Sequence, residues 1–138
     1  MIARPILLDT CALIWVASGD TLTSEAETAL QQAQDSGTRV LVSPITAWEI
    51  GMLVSKGRLA LTTPPLKWFQ AILDIGIELA ALSPDILIAS STLPGPPLSD
   101  PADRIIATTA RDGGYRLMTR DRPLLDFAAD GQVAAIAC

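Results

Sequence analysis

Ile6-Leu7-Leu8-Asp9-Thr10 places three consecutive apolar residues directly before an acid. A strand that is apolar on successive rather than alternate residues is buried on both faces, as in a parallel sheet covered by helices. Val40-Leu41-Val42 repeats the pattern, and Arg116-Leu117-Met118 carries a shorter version of it. Glu78 to Leu82 reads as a further strand, and Val133 to Ile136 as a last strand at an edge. The segments between them start like helices. Ser24 with Glu27 forms a capping box for a helix to about Asp35, closed by Gly37. Ser43-Pro44, Ser83-Pro84 and Asp100-Pro101 each put a capping side chain before a proline at the first helical position. Pro64-Pro65 opens another helix, running to about Leu73. Strands alternating with helices predict an α/β fold, a three-layer α/β/α sandwich around a mainly parallel sheet of four to five strands. Residues 1–138 are expected to form one domain, with no internal repeat and no linker. The one biased segment, Ser90 to Pro101 (SSTLPGPPLSDP), reads as a rigid surface loop.

Composition narrows the chemistry. The chain has 15 acids, 10 bases, a formal charge of -5, two cysteines and no histidine. Without histidine, Ser-His-Asp and Cys-His nucleophilic schemes are excluded, as are histidine-based zinc sites. Cys11 and Cys138 alone cannot make an all-thiolate zinc site, and their wide spacing suits a reducing compartment. The segment Met1 to Gly19 loosely resembles a signal peptide, but Asp9 interrupts its apolar run and no clean cleavage site follows. No apolar run approaches the roughly 20 residues a spanning helix needs, so no membrane association is expected and a cytoplasmic location is. The negative charge repels a polyanion at long range. Against that, Arg104, Arg111, Arg116, Arg120 and Arg122 cluster in one stretch, interleaved with six acids from Asp100 to Asp130. The apolar share of 49% is high enough to suggest a face covered by a partner.

In a parallel α/β sheet, ligands collect beyond the carboxyl ends of the strands. Four acids fall at or soon after such ends: Asp9 after the first strand, Glu49 in the helix after the second, Asp103 near a helix start, and Asp121 after the fourth strand. Each also has a plain structural reading. Asp100, Asp103 and Asp121 fit helix caps or favourable positions in a helix dipole, whereas Asp9 and Glu49 stand in apolar surroundings where an unpaired charge is costly. Clustered carboxylates raise one another's pKa or recruit a cation. An all-oxygen donor set suits Mg²⁺ or Mn²⁺, which can activate a water against a phosphodiester without any histidine.

Leu7-Leu8-Asp9-Thr10, Ser43-Pro44 with Glu49, Asp100-Pro101-Ala102-Asp103-Arg104-Ile105-Ile106-Ala107 and Thr119-Arg120-Asp121 together resemble PIN-domain ribonucleases, and most of all the VapC-type toxins of toxin–antitoxin pairs. The resemblance runs along essentially the whole chain. It implies an α/β/α fold and a Mg²⁺- or Mn²⁺-dependent endoribonuclease that leaves a 5′-phosphate and a 3′-hydroxyl. It also implies that Asp9 and Asp103 are the principal metal ligands, with Glu49 and Asp121 completing the pocket partly through water. Thr10 would supply a hydroxyl beside the metal or phosphate, and Asp100 would cap its helix nearby. Arg104, Arg120 and Arg122 become candidates for RNA contact, although Arg104 could equally pair with Asp100 or Asp103. A small cognate antitoxin of the VapB type and a homodimer are the implied partners. Cys11, where small polar residues are common in the family, is expected to be a buried small side chain. Trp15, Trp48 and Trp68 lie in apolar helical contexts that favour core or interface over base stacking.

Two other enzyme classes fit poorly. A haloacid-dehalogenase-type phosphatase needs a second acid two residues after the first, and that position is Cys11. A response-regulator receiver needs paired early acids and a late strand-end lysine, yet the only lysines are Lys56 and Lys67. A catalytically silent copy of the PIN-like fold that acts by binding is the remaining alternative, and the complete set of four acids argues against it.

Overall fold

The computed structural model describes residues 3–138. The elements run β1 (Ile6–Leu8), α1 (Thr10–Ser18), α2 (Ser24–Ser36), β2 (Val40–Val42), α3 (Pro44–Ser55), α4 (Pro65–Asp74), β3 (Glu78–Leu79), α5 (Pro84–Ala89), a 3-10 turn (Ser90–Thr92), α6 (Pro101–Gly113), β4 (Arg116–Thr119), α7 (Arg122–Ala129) and β5 (Ala134–Ala137). The five strands form one sheet in the order β3-β2-β1-β4-β5, and every pairing is parallel. The short apolar strands explain the layering. Ile6, Leu8, Val42, Met118 and Ile136 pack on one face against Ala12 and Leu13 of α1, Ala26, Ala29 and Ala33 of α2, and Phe69 and Ile72 of α4. Leu7, Leu41 and Leu117 pack on the other face against Ile106, Ala107 and Ala110 of α6 and Leu124 and Phe127 of α7. β1 and β2 are therefore apolar throughout, and β4 at Leu117 and Met118, because both faces of these strands are covered.

Several local details differ from the sequence expectation. The helix α1 follows β1 with no connecting loop, because Asp9 serves as its N-cap and accepts the Ala12 amide at 2.7 Å. The cap of α2 is Thr23, one residue before the expected Ser24; its hydroxyl accepts the Ala26 amide and also donates to the Ala137 carbonyl of β5 at 2.6 Å. That second bond is a tertiary tie, invisible to a local capping pattern. Gly37 closes α2 in the left-handed conformation, as expected. The strand β3 is only Glu78–Leu79, because its partner β2 ends at Val42 and turns into α3. One last bond, from the Ala80 amide to the Val42 carbonyl, closes that edge. The strand β5 is shifted one residue on from Val133–Ile136 and lies at the opposite edge.

Ser43 and Ser83 cap α3 and α5 through their hydroxyls. Asp100 occupies the N-cap position of α6 but makes no capping hydrogen bond, which corrects its expected role. The segment from Ser90 to Pro101 begins as a 3-10 turn and buries Leu98 in the core, so it is a strap over the fold rather than a purely surface loop. None of the described helices is long and apolar enough to cross a membrane.

Candidate active site

The chain leaves β1 towards β2 and β3 on one side and reaches β4 and β5 on the other. The strand order therefore reverses between β1 and β4, where a parallel sheet opens a crevice at its carboxyl end. Asp9 closes β1 at that point, and its amide donates to the Met118 carbonyl of β4 at 3.1 Å. Its carboxylate is 4% exposed. One oxygen accepts the Ala12 amide, and the other accepts the Thr119 hydroxyl. Burial nevertheless holds the Asp9 pKa above the ordinary carboxylate value, against the lowering effect of those two bonds. Thr119, fully buried at the end of β4, also accepts the Asp121 amide at 3.0 Å and so joins Asp9 to the start of α7. Asp121 caps α7 by accepting the Leu124 amide at 3.2 Å, yet it stands close enough to Asp9 and Asp103 to disfavour their ionised forms.

Glu49 lies in the second turn of α3, half-buried. The Thr10 hydroxyl, at the start of α1, donates to its carboxylate through a short bond. Burial raises the Glu49 pKa, the Thr10 bond opposes the rise, and the Asp100 and Asp9 charges add to it. Thr10 also meets the fully buried hydroxyl of Thr46, oxygen to oxygen, at 3.0 Å.

Asp103 stands in the first turn of α6. Its pKa is raised to about 8, first by burial and then by the charges of Asp100, Asp121, Glu49 and Asp9. Among the described residues, no hydrogen-bond donor reaches its carboxylate. The four expected acids are thus neighbours in one field, and Asp100 belongs to that field as well. Freed from capping, Asp100 acts on Asp103 and Glu49 by charge.

Cys11 was expected to be buried and is exposed, because it is the second residue of α1 on the side that faces the acids. Partial burial and the charges of Asp9, Glu49, Asp103 and Asp121 push its thiol up to about 11, so it stays protonated and inert as a nucleophile. Cys138 is buried, and neither cysteine is in a disulfide.

Two of the three candidate RNA-binding arginines have structural tasks. The Arg104 guanidinium donates to the carbonyls of Ser90, Ser91 and Leu98, at 2.8 to 3.3 Å, and pairs with neither Asp100 nor Asp103. Arg120 donates to the Cys138 carbonyl at 2.9 Å and stacks over the Trp15 ring. Arg122 opens α7 with an exposed side chain. Trp68 packs on the core, whereas Trp48, beside Glu49, is 58% exposed. Among the described residues the one salt bridge is Arg39–Glu78, which involves none of the four acids; the Arg120 charge lowers the Asp9 pKa only as its least cause.

That arrangement suits a divalent cation in charge and donor type. Buried carboxylates with raised pKa values and no salt-bridge partner favour an added cation, and a set made only of oxygens favours a hard one. Among the described residues, no three acidic side chains already surround a single point as ligands.

The sequence profile of the PIN domain matches residues 6–129, a span that holds Asp9, Glu49, Asp103 and Asp121. Over 120 residues the chain is 32% identical to ribonuclease VapC22 of Mycobacterium tuberculosis, covering 86% of this chain and 88% of that protein. The chain belongs to the PIN-domain family, among its VapC ribonucleases. Solved structures show the PIN fold at lower identity. VapBC2 from Rickettsia felis bound to a promoter DNA fragment matches with a TM-score of 0.59 at 16% identity, over 96% of this chain and 98% of that one. DNA-bound VapBC from Salmonella typhimurium gives 0.60 at 16%, over 98% of both. FitAB bound to the IR36 DNA fragment gives 0.59 at 22%, over 96% of this chain and 94% of that one. VapC nucleases of the PIN family generally use a divalent metal, which agrees with acids that have no salt-bridge partner.

Proposed function

We propose that this chain is an endoribonuclease that hydrolyses RNA phosphodiester bonds with Mg²⁺ or Mn²⁺, as the toxin of a toxin–antitoxin pair. The observation that carries this reading is the group of four acids beyond the carboxyl ends of β1 and β4, of which Asp9, Glu49 and Asp103 are raised in pKa and none is in a salt bridge, in a chain 32% identical to a VapC ribonuclease. Asp9 and Asp103 would hold the ion, with Glu49 and Asp121 completing its shell partly through water. The ion would supply an activated water and neutralise the charge that develops on the phosphate.

The chain's own contribution is orientation. The Ala12 amide and the Thr119 hydroxyl fix both oxygens of Asp9, and the Thr10 hydroxyl fixes one oxygen of Glu49. Thr10 would stand beside the metal or scissile phosphate, with its hydroxyl proton held by Glu49. Arg122, exposed at the start of α7 next to Asp121, is the arginine best placed to meet an RNA backbone, because Arg104 and Arg120 are engaged by backbone carbonyls. The expected partners are RNA, a small VapB-type antitoxin with a basic side chain to offset the acids, and a second copy of the chain. The exposed Trp48 and Ile88 suit such interfaces. The expected location is the cytoplasm.

Antitoxin-free protein should cut RNA with Mn²⁺ and stop when EDTA is added. Asp9→Asn and Asp103→Asn should each lower cleavage by more than the ~10–100-fold typical of residues outside the metal shell. Wild-type rates in both variants would overturn the site. Absence of cleavage on transfer, ribosomal and messenger RNA would favour a silent binding module.

A further inference from the structure

We infer that Thr46 is a positioning residue for Glu49, acting through the hydroxyl of Thr10; this rests on the ribonuclease reading above. Thr46 sits on α3 three residues before Glu49, so the two side chains share a helix face. Thr10 stands opposite, on the first turn of α1, and its hydroxyl oxygen touches both of them. The direction of these bonds follows from the number of protons. An ionised carboxylate can only accept, so Thr10 gives its single hydroxyl proton to Glu49. The Thr10 oxygen can then only accept from Thr46, which lies 3.0 Å away. Thr46 is completely buried, and among the described residues its hydroxyl has no other side-chain or backbone partner.

The chain Thr46 to Thr10 to Glu49 thus has one orientation. It also spans the two elements whose spacing matters most. Thr10 follows Asp9 directly, so a hydroxyl pinned from α3 on two sides sets the distance between Asp9 and Glu49. The match to Thr119 is close: Asp9 and Glu49 each receive a proton from a threonine that is itself held by a second bond. Chains of hydroxyl donors ending on an ion polarise one another, and charge-assisted bonds are the strong ones.

Without the Thr46 proton, the Thr10 hydroxyl keeps its carboxylate partner but loses the contact that fixes its rotamer. Thr46→Val has nearly the same shape and removes only the donor. It should lower kcat about tenfold and weaken Mn²⁺ binding about tenfold, within the range for residues that orient ligands, with KM for RNA unchanged. Thr46→Ser should restore both, because the donor returns. In a double-mutant cycle, Thr10→Val with Thr46→Val should lose no more than Thr10→Val alone, since both act along one chain. Mn²⁺ affinity, followed by calorimetry on antitoxin-free protein, separates this inference from the assigned activity. Wild-type protein that binds Mn²⁺ tightly, weakened in Thr46→Val and rescued in Thr46→Ser, supports the positioning role even if no RNA is cut. Unchanged Mn²⁺ affinity and kcat in Thr46→Val, a Thr46→Ser variant no better than valine, or additive losses in the cycle would each overturn it. Thermal melts of all variants show whether any loss reflects unfolding instead.

Discussion

Asp9 and Asp103 are acids of one pocket held in opposite ways. Asp9 ends a central strand with both oxygens bonded, to the Ala12 amide and the Thr119 hydroxyl, and it caps α1 while doing so. Asp103 stands in the first turn of α6 with no donor among the described residues, and burial first, then four like charges, lift its pKa to about 8. The first carboxylate is part of the scaffold as well as of the site. The second costs the fold stability and gains from nothing but an external cation. Of the two carboxylates, one is pre-organised by the protein's own donors and the other is not.

The sharpest way to break that contrast is to remove each carboxylate from metal-free protein and read the sign. Asp9→Ala removes a cap worth about 1 kcal/mol and leaves the Thr119 hydroxyl without its acceptor, at a further ~1–3 kcal/mol. It should lower the melting temperature clearly. Asp103→Asn removes a carboxyl that the fold holds far above its ordinary pKa and should raise it. Equal destabilisation by both variants would mean that Asp103 is also structural.

A smaller effect tests the same point through pH. The folded pKa of Asp103, about 8, lies above its ordinary value of 3.8, so between those values the folded state binds more protons than the unfolded one. Stability of metal-free protein should therefore be greatest near pH 4 for this group and fall as the pH rises through about 8. The melting temperature in EDTA should show that slope, and Asp103→Asn should flatten it. Added Mn²⁺ should offset the loss, most strongly above pH 8.

The smallest expected effect concerns the strap beside Asp103. Arg104→Leu removes three donors to the Ser90–Leu98 carbonyls, so that strap should become sensitive to limited proteolysis with only a modest change in melting temperature. An Arg104→Leu strap as resistant as wild type would show that the burial of Leu98 alone holds it.

Much of the fold was legible in the chain. Ile6–Leu8 and Val40–Val42 announce a sheet covered on both faces, and Ser43 and Ser83 before prolines mark α3 and α5, because these signals depend only on near neighbours. The four acids were legible for the same reason, since strand ends and helix starts are local features. Thr23, Asp100 and Cys11 were misplaced because each depends on a distant contact or charge. Thr23 is tied to Ala137, Asp100 faces other acids instead of its own helix, and Cys11 is exposed on the side of α1 that faces the acids.

By itself, then, the sequence determined the class of sheet, the absence of histidine chemistry and the identity of the acids, all of which follow from residue type and spacing. Only the tertiary structure decided what each polar group does. The hydroxyls of Thr10, Thr46 and Thr119 are unremarkable letters in the chain, and their roles come from partners 36 to 110 residues away. A hydrogen bond needs its two atoms within about 3 Å, and folding alone brings such distant residues that close.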